Sequence, residues 1–267
     1  MGKAFELIAG FVTAPSTTFT ALTMATGSSL TVRNAPLGSE VRLLQCWSDQ
    51  QTAGNIRIRS PKLHDNVQGI RLFSVASEVE PLFPMGSYEK LIPQDILVIE
   101  MTGSATASDI ESFVALMYYS DLPGTDARLI TPEEAMRRMS HIVTIENTLA
   151  LGTAGGFSGE EAINAEFDLL KANTDYALVG YAVSAECAAV RWRGADTGNL
   201  GVGGPGNELR KSMTAEWFIL LSHAYMLPLI PVFNSANKGA VLLDGVQDEN
   251  GTDVTVTSIF YELGMPR

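Results

Sequence analysis

Pro81-Leu82-Phe83-Pro84 and Pro228-Leu229-Ile230-Pro231 are near-copies of one tetrapeptide in a single chain. Each is preceded, at the same distance, by an apolar run: Ile70-Arg71-Leu72-Phe73-Ser74 before the first and Trp217-Phe218-Ile219-Leu220-Leu221 before the second. A short run bounded by prolines belongs at a strand end or a sheet edge, because proline cannot donate to a hydrogen-bond ladder. The echo with its flanks predicts two halves built of strands on one plan.

Working outward, Ile56-Arg57-Ile58-Arg59 is matched by Val190-Arg191-Trp192-Arg193, and Tyr118-Tyr119 by Phe260-Tyr261. The pairs keep their order along both halves, as duplication requires. The runs between them read as strands. Thr18–Met24 alternates, and Leu30–Arg33, Val41–Trp47, Asn55–Arg59, Ile70–Val75 and Ile96–Met101 follow, with a turn at Gly27-Ser28-Ser29. The spacing is near the ~8–12 residues of a sandwich or barrel. Phe113–Tyr119 fits a helix through Ser108 and Glu111, but its counterpart Val254–Tyr261 is β-branched and alternating, so a strand is expected. Tyr176–Ser184, Ala189–Arg193, Trp217–Leu221, Leu229–Phe233 and Ala240–Val246 complete the second set.

Two helices are expected between the sets. Thr131 caps the first, Pro132 takes its first position, and Glu133 and Glu134 suit its positive end. Met136, Met139 and Ile142 would be its buried stripe. After Ala154-Gly155-Gly156, Ser158 and Glu161 offer a capping box for a second, with Ile163, Phe167 and Leu170 on one face through Lys171.

The chain has 267 residues, 46% hydrophobic and 18% charged, with net charge −12. That excludes disorder. No basic face for nucleic acid is visible, so no direct nucleic-acid binding is expected. So little charge leaves much neutral surface, suited to burial against neighbouring subunits. Cys46 and Cys187 form no disulfide framework and lack metal-ligand spacing. The run Phe5–Val12, interrupted by Glu6, is too short to span a bilayer and lacks a charged leader, so synthesis in a cytoplasm is expected.

Motifs for chemistry are weak. Gly201–Gly206 satisfies G-x-G-x-x-G, but no acidic residue follows at the required distance, and a flexible loop tip is expected. His64, His141 and His223 share no ligand spacing, which speaks against duplicated metalloenzymes of the cupin type. Gly156-Phe157-Ser158-Gly159 is no nucleophile elbow. Asp244, Asp248, Glu249, Asn250 and Asp253 are oxygen-rich, so the 244–253 stretch is a calcium candidate read first as a solvated turn. Asn250-Gly251-Thr252 is a glycosylation sequon only if the chain is secreted. Arg57 with Arg59, and Arg191 with Arg193, each share one face of a strand. A solvated or subunit-facing surface is the first reading there, and a carbohydrate or anion site the second. No catalytic, cofactor-binding or metal residue is assigned, and no cofactor is expected.

The reading is mainly β: an N-terminal arm over 1–15, a first eight-stranded β-sandwich over 16–128, a linking helix and connector over 129–150, and a second sandwich over 151–267. In size, architecture and duplication the chain resembles the double jelly-roll major coat proteins of tailless icosahedral viruses and bacteriophages. The resemblance implies a virion protein without catalysis, assembled in the host cytoplasm as a homotrimer that tiles an icosahedral shell. Its partners would be itself, neighbouring capsomers and, through the 1–15 arm, other virion proteins or an internal membrane. The alternative is a tandem β-sandwich that binds glycans, a lectin or phage fibre domain, with Trp192 or Trp47 exposed for stacking.

Overall fold

The computed structural model describes residues 2–25, 30–62, 67–76, 79–152, 155–247 and 253–266. The expected turn at Gly27-Ser28-Ser29, His64, Ala154 and the 248–252 part of the calcium candidate, sequon included, lie outside them. The first half runs through β1 (Ala4–Thr13), β2 (Thr20–Ala21), β3 (Thr23–Met24), β4 (Leu30–Thr31), β5 (Val41–Asp49), β6 (Gly54–Arg59), β7 (Ile70–Ser74), β8 (Glu80–Pro81), β9 (Glu89–Leu91), β10 (Ile96–Met101) and β11 (Ile110–Tyr119). The connector holds β12 (Leu129–Ile130) and α1 (Pro132–Arg138). The second half holds β13 (His141–Leu149), β14 (Phe157–Ala162), β15 (Asp175–Val183), β16 (Cys187–Arg193) and β17 (Val202–Gly206). It closes with α2 (Lys211–Thr214), α3 (Trp217–Tyr225), β18 (Ile230–Asn234), β19 (Leu242–Val246) and β20 (Val254–Gly264).

Every strand pairing is antiparallel, and the two halves share one strand order. In the first, β1-β11-β5 continues into β8 and β9, facing β2-β10-β6-β7. In the second, β13-β20-β15-β18 faces β14-β19-β16-β17. The same β-bulge marks both. Gln45 pairs with Leu116 and Leu43 with Met117, passing over Leu44; Gly180 pairs with Ile259 and Leu178 with Phe260, passing over Val179. The bulge sets the true equivalence. Tyr118 corresponds to Tyr261, one place from the expected match with Phe260, and in a strand one place reverses the face.

The proline echo is not part of the shared plan. Pro81 pairs with Trp47 at the far end of β5. The strand equivalent to β18 is β9: Leu91 pairs with Val41 as Phe233 pairs with Tyr176. Pro231 therefore stands where the first half has Glu89. The duplication rests on strand order and bulge, and the repeated tetrapeptide is coincidence.

Phe113–Tyr119 is continuous and apolar because its sheet is buried on both faces. Phe113, Ala115, Met117 and Tyr119 point into the core of the first half, and Val114, Leu116 and Tyr118 join a core shared with the second half. The expected arm over 1–15 is instead β1, paired with β11 along ten residues and with β3 at Gly10 and Phe11. Its Glu6, which reads as an interruption, is buried and bound by Arg33 and the Tyr119 hydroxyl at 2.8 and 2.9 Å.

The helices also depart from expectation. α1 forms with its Thr131 cap, which accepts from the Glu134 amide at 3.2 Å. Its buried side is Pro132 and Ala135; Met136 is exposed, and Ile142 is exposed on β13. The helix expected from Ser158 is β14, held by pairing to β19. Trp217–Leu221, expected as a strand, opens α3. Its buried Trp217, Phe218, Leu221, Ser222 and Tyr225 follow the helical period, and Met226 closes it in the left-handed region at φ 52°.

Candidate functional site

Each half carries the same side-chain group on its β2-β10-β6 or β14-β19-β16 sheet. In the first, Arg57 and Arg59 on β6 converge on Glu100 of the neighbouring β10, at 2.7 and 2.8 Å, and Arg57 stacks 4.2 Å from the centre of the Phe19 ring. In the second, Arg191 on β16 grips Asp244 of β19 through two bonds of 2.6 and 2.9 Å and stacks 3.4 Å from the Phe157 ring. Residue i and i+2 of a strand share a face, so an Arg-x-Arg strand beside an acidic one builds this group without further help. Glu100 pairs across the ladder with Arg57, and Asp244 with Arg191, so the two groups are equivalent position by position.

They differ by one methylene. Glu100 hydrogen-bonds both arginines; Asp244 is hydrogen-bonded by Arg191 and meets the Arg193 Nε only as an ion pair at 3.6 Å. Arg193 turns its head to Glu160, and its buried Nε makes no hydrogen bond. Burial pushes the Glu100 carboxyl up, but the Arg59 and Arg57 guanidiniums outweigh it and hold it below the ordinary range.

The halves meet over the face of β1, β11 and β5. Trp47 donates to the Ala188 carbonyl at 2.8 Å, and its ring stands edge-on to Trp217, centroids 5.9 Å apart. Phe5 packs on Phe218, and Tyr225 donates its hydroxyl to the carbonyl of Leu44 at the bulge. The Leu7 amide donates to Gly201 at 2.7 Å, Asn207 to Val79 at 2.9 Å, and Ala127 bridges Thr197. Burial of its ring pushes the Tyr225 phenol up to about 12.

No family model and no curated protein matches the chain. Among solved structures it is similar to the PBSX exported protein XepA. That match has 12% identity and a TM-score of 0.26, over 96% of this chain and 86% of that one. At that TM-score the likeness carries no argument about what this chain does.

The residues singled out from sequence fall as follows. Gly201–Gly206 is no loop tip: Val202–Gly206 is β17, buried throughout. A Cβ on Gly204 would lie 2.2 Å from the Tyr181 hydroxyl and 2.4 Å from the Trp217 Nε1, so glycine there serves close packing. Asp244 is engaged by arginine and is not available to calcium as part of the 244–253 stretch, while Asp253 is exposed. Among the described residues no group of three or more His, Cys, Asp or Glu could hold a metal. His141 begins β13 and His223 lies in α3. Cys46 and Cys187 are both buried, and burial pushes the Cys46 thiol far above its ordinary range. Trp47 and Trp192, expected to be exposed if the chain stacked sugars, are both fully buried, with Trp192 bonded to Ser258 at 3.0 Å. Sequence reading missed the carboxylates of both arginine groups, although Glu100 and Asp244 stood as lone acids in apolar strands.

Proposed function

We propose that each half is a jelly roll and that the chain is a structural virion protein, a major coat protein that trimerises and tiles an icosahedral shell. The observation that carries this reading is the strand order. In a jelly roll the first, eighth, third and sixth strands form one sheet, and the second, seventh, fourth and fifth the other. Counting β8 with β9 as one broken strand, and leaving out the short β3 and β4, both halves follow that order. Jelly rolls serve capsids and lectins among others; the burial of Trp47 and Trp192 removes the stacking residues on which the glycan alternative stood.

The halves suit a ring. The first half buries the β1-β11-β5 face against the second. The equivalent face of the second half carries Ile142, Thr144 and Glu146 on β13 beside Tyr261, Ile259 and Thr257 on β20. It is open in the single chain, with Ile142 60% exposed. Three copies, each closing that face on the first half of the next, place six similar sandwiches around one axis. Assembly in the host cytoplasm and contacts with other virion proteins or a membrane belong to the same proposal. The tether for such contacts is not residues 4–13, which are committed to a central strand.

Light scattering on the size-exclusion peak and electron micrographs test it. A trimer or shell-like particles are expected for the native chain, and a smaller species for Ile142→Glu with unchanged circular dichroism. A native protein that stays monomeric at assembly concentrations sinks the reading.

A further inference from the structure

A cleft of about 370 Å³ opens where the two halves meet. Glu6, Thr31 and Arg33 line it from the first half, and Arg191, Arg193 and Asn199 from the second. In a chain of net charge −12, these walls bring three guanidiniums together, held from behind by Glu6, Asp244 and Glu160. Each arginine is held in place. Arg33 is fixed by Glu6 through its Nε and Nη2 at 2.8 Å each, which leaves its Nη1 outside the fork. Arg191 is clamped between Asp244 and the Phe157 ring. Arg193 is held by Glu160 through its head and lies 3.6 Å from Asp244, with its buried Nε making no hydrogen bond.

We propose that this cleft binds a small oxyanion, a carboxylate or phosphate group received between Arg33 and Arg193 over the fixed charge of Arg191. Guanidiniums held as planar forks match such groups at little cost in side-chain entropy. Both long heads still face solvent, with side-chain exposures of 49% for Arg33 and 35% for Arg193, so the site is open to a ligand. The equivalent group in the first half lacks these features. Glu100 satisfies both of its arginines, and no second half is docked over it. The site is therefore a product of the junction, and it stands whether or not the chain builds a shell.

Isothermal titration and thermal shift on the full chain test it, at low ionic strength, with inorganic phosphate and malonate in separate arms and chloride at equal ionic strength as the reference. Saturable one-site binding beyond the chloride response is expected for at least one anion; phosphate alone or malonate alone then identifies the group preferred. Arg33→Gln and Arg193→Gln should each weaken binding about tenfold or more, the loss of one charge-assisted hydrogen bond. Thr31→Trp, at an exposed wall position, should block binding. Arg57→Gln in the first half should leave it unchanged. No saturable response from either anion, or wild-type binding by Arg33→Gln and Thr31→Trp, overturns the proposal.

Discussion

Asp175 joins the connector to the second half. Its carboxylate is fully buried and takes two bonds from Arg128 at 2.9 and 2.6 Å, one from Arg138 at 3.2 Å and one from Asn234 at 2.9 Å. Burial alone pushes its carboxyl up, but Arg128, Asn234 and Arg138 together hold it below the ordinary 3.8. A carboxyl lowered on folding contributes stability that is complete above its unfolded value and is lost as pH falls through the folded one. Asp175→Asn removes the buried carboxylate from the Arg138 guanidinium, whose side chain is only 7% exposed and which is left with Glu134 at 3.4 Å. Breaking a buried pair in this way costs about 3–5 kcal/mol. Urea denaturation at pH 7 should show that loss, and between pH 5 and 2 the variant's stability should fall less steeply than the wild type's. Equal slopes would show that the pair is not the acid-sensitive element.

Among the elements, β1 is the one whose reading changes most. A run of eight apolar-rich residues near a terminus with an acid inside it looks like a tail, because Glu6's partners Arg33 and Tyr119 are remote in sequence. Once paired, β1 completes a sheet whose two faces belong to two different cores. Deleting residues 2–14 strips β11 of its neighbour and opens both cores. The expected outcome is insoluble protein or a lost β signature in circular dichroism. A truncated chain that folds like the wild type refutes a structural role. Trp217–Tyr225 was hard to read for another reason. Its run WFILLSHAY has apolar residues around most of its circumference, so neither period stands out, and only docking against β15 and β18, with Phe218 on Phe5 of β1, selects the helix.

On the scale of the whole molecule, the halves are not independent. Phe5, Leu7, Ala9, Leu44, Trp47, Val79, Val114, Leu116 and Tyr118 belong to a core otherwise made of residues of the connector and the second half. A fragment of residues 1–128 therefore exposes an apolar face larger than the few hundred Å² that soluble monomers tolerate. It should aggregate alone and regain solubility when co-expressed with residues 129–267. A soluble, cooperatively unfolding fragment would contradict the shared core.

The amino-acid sequence by itself determined a mainly β chain, the places of most strands and the capped α1. These follow from alternation, turn residues and side-chain chemistry that act within a few neighbours. The Arg-x-Arg strands were legible for the same reason, as a face but not as a pair with Glu100 or Asp244. Only the tertiary structure decided the rest. The bulge at Leu44 and Val179, not the matching tyrosines, set the equivalence of the halves, since register depends on which strand lies alongside. The proline echo failed because four letters carry no pairing information. The cleft between Arg33 and Arg193 arises from two surfaces brought together by burial of the face between the halves, a contact that no local pattern encodes.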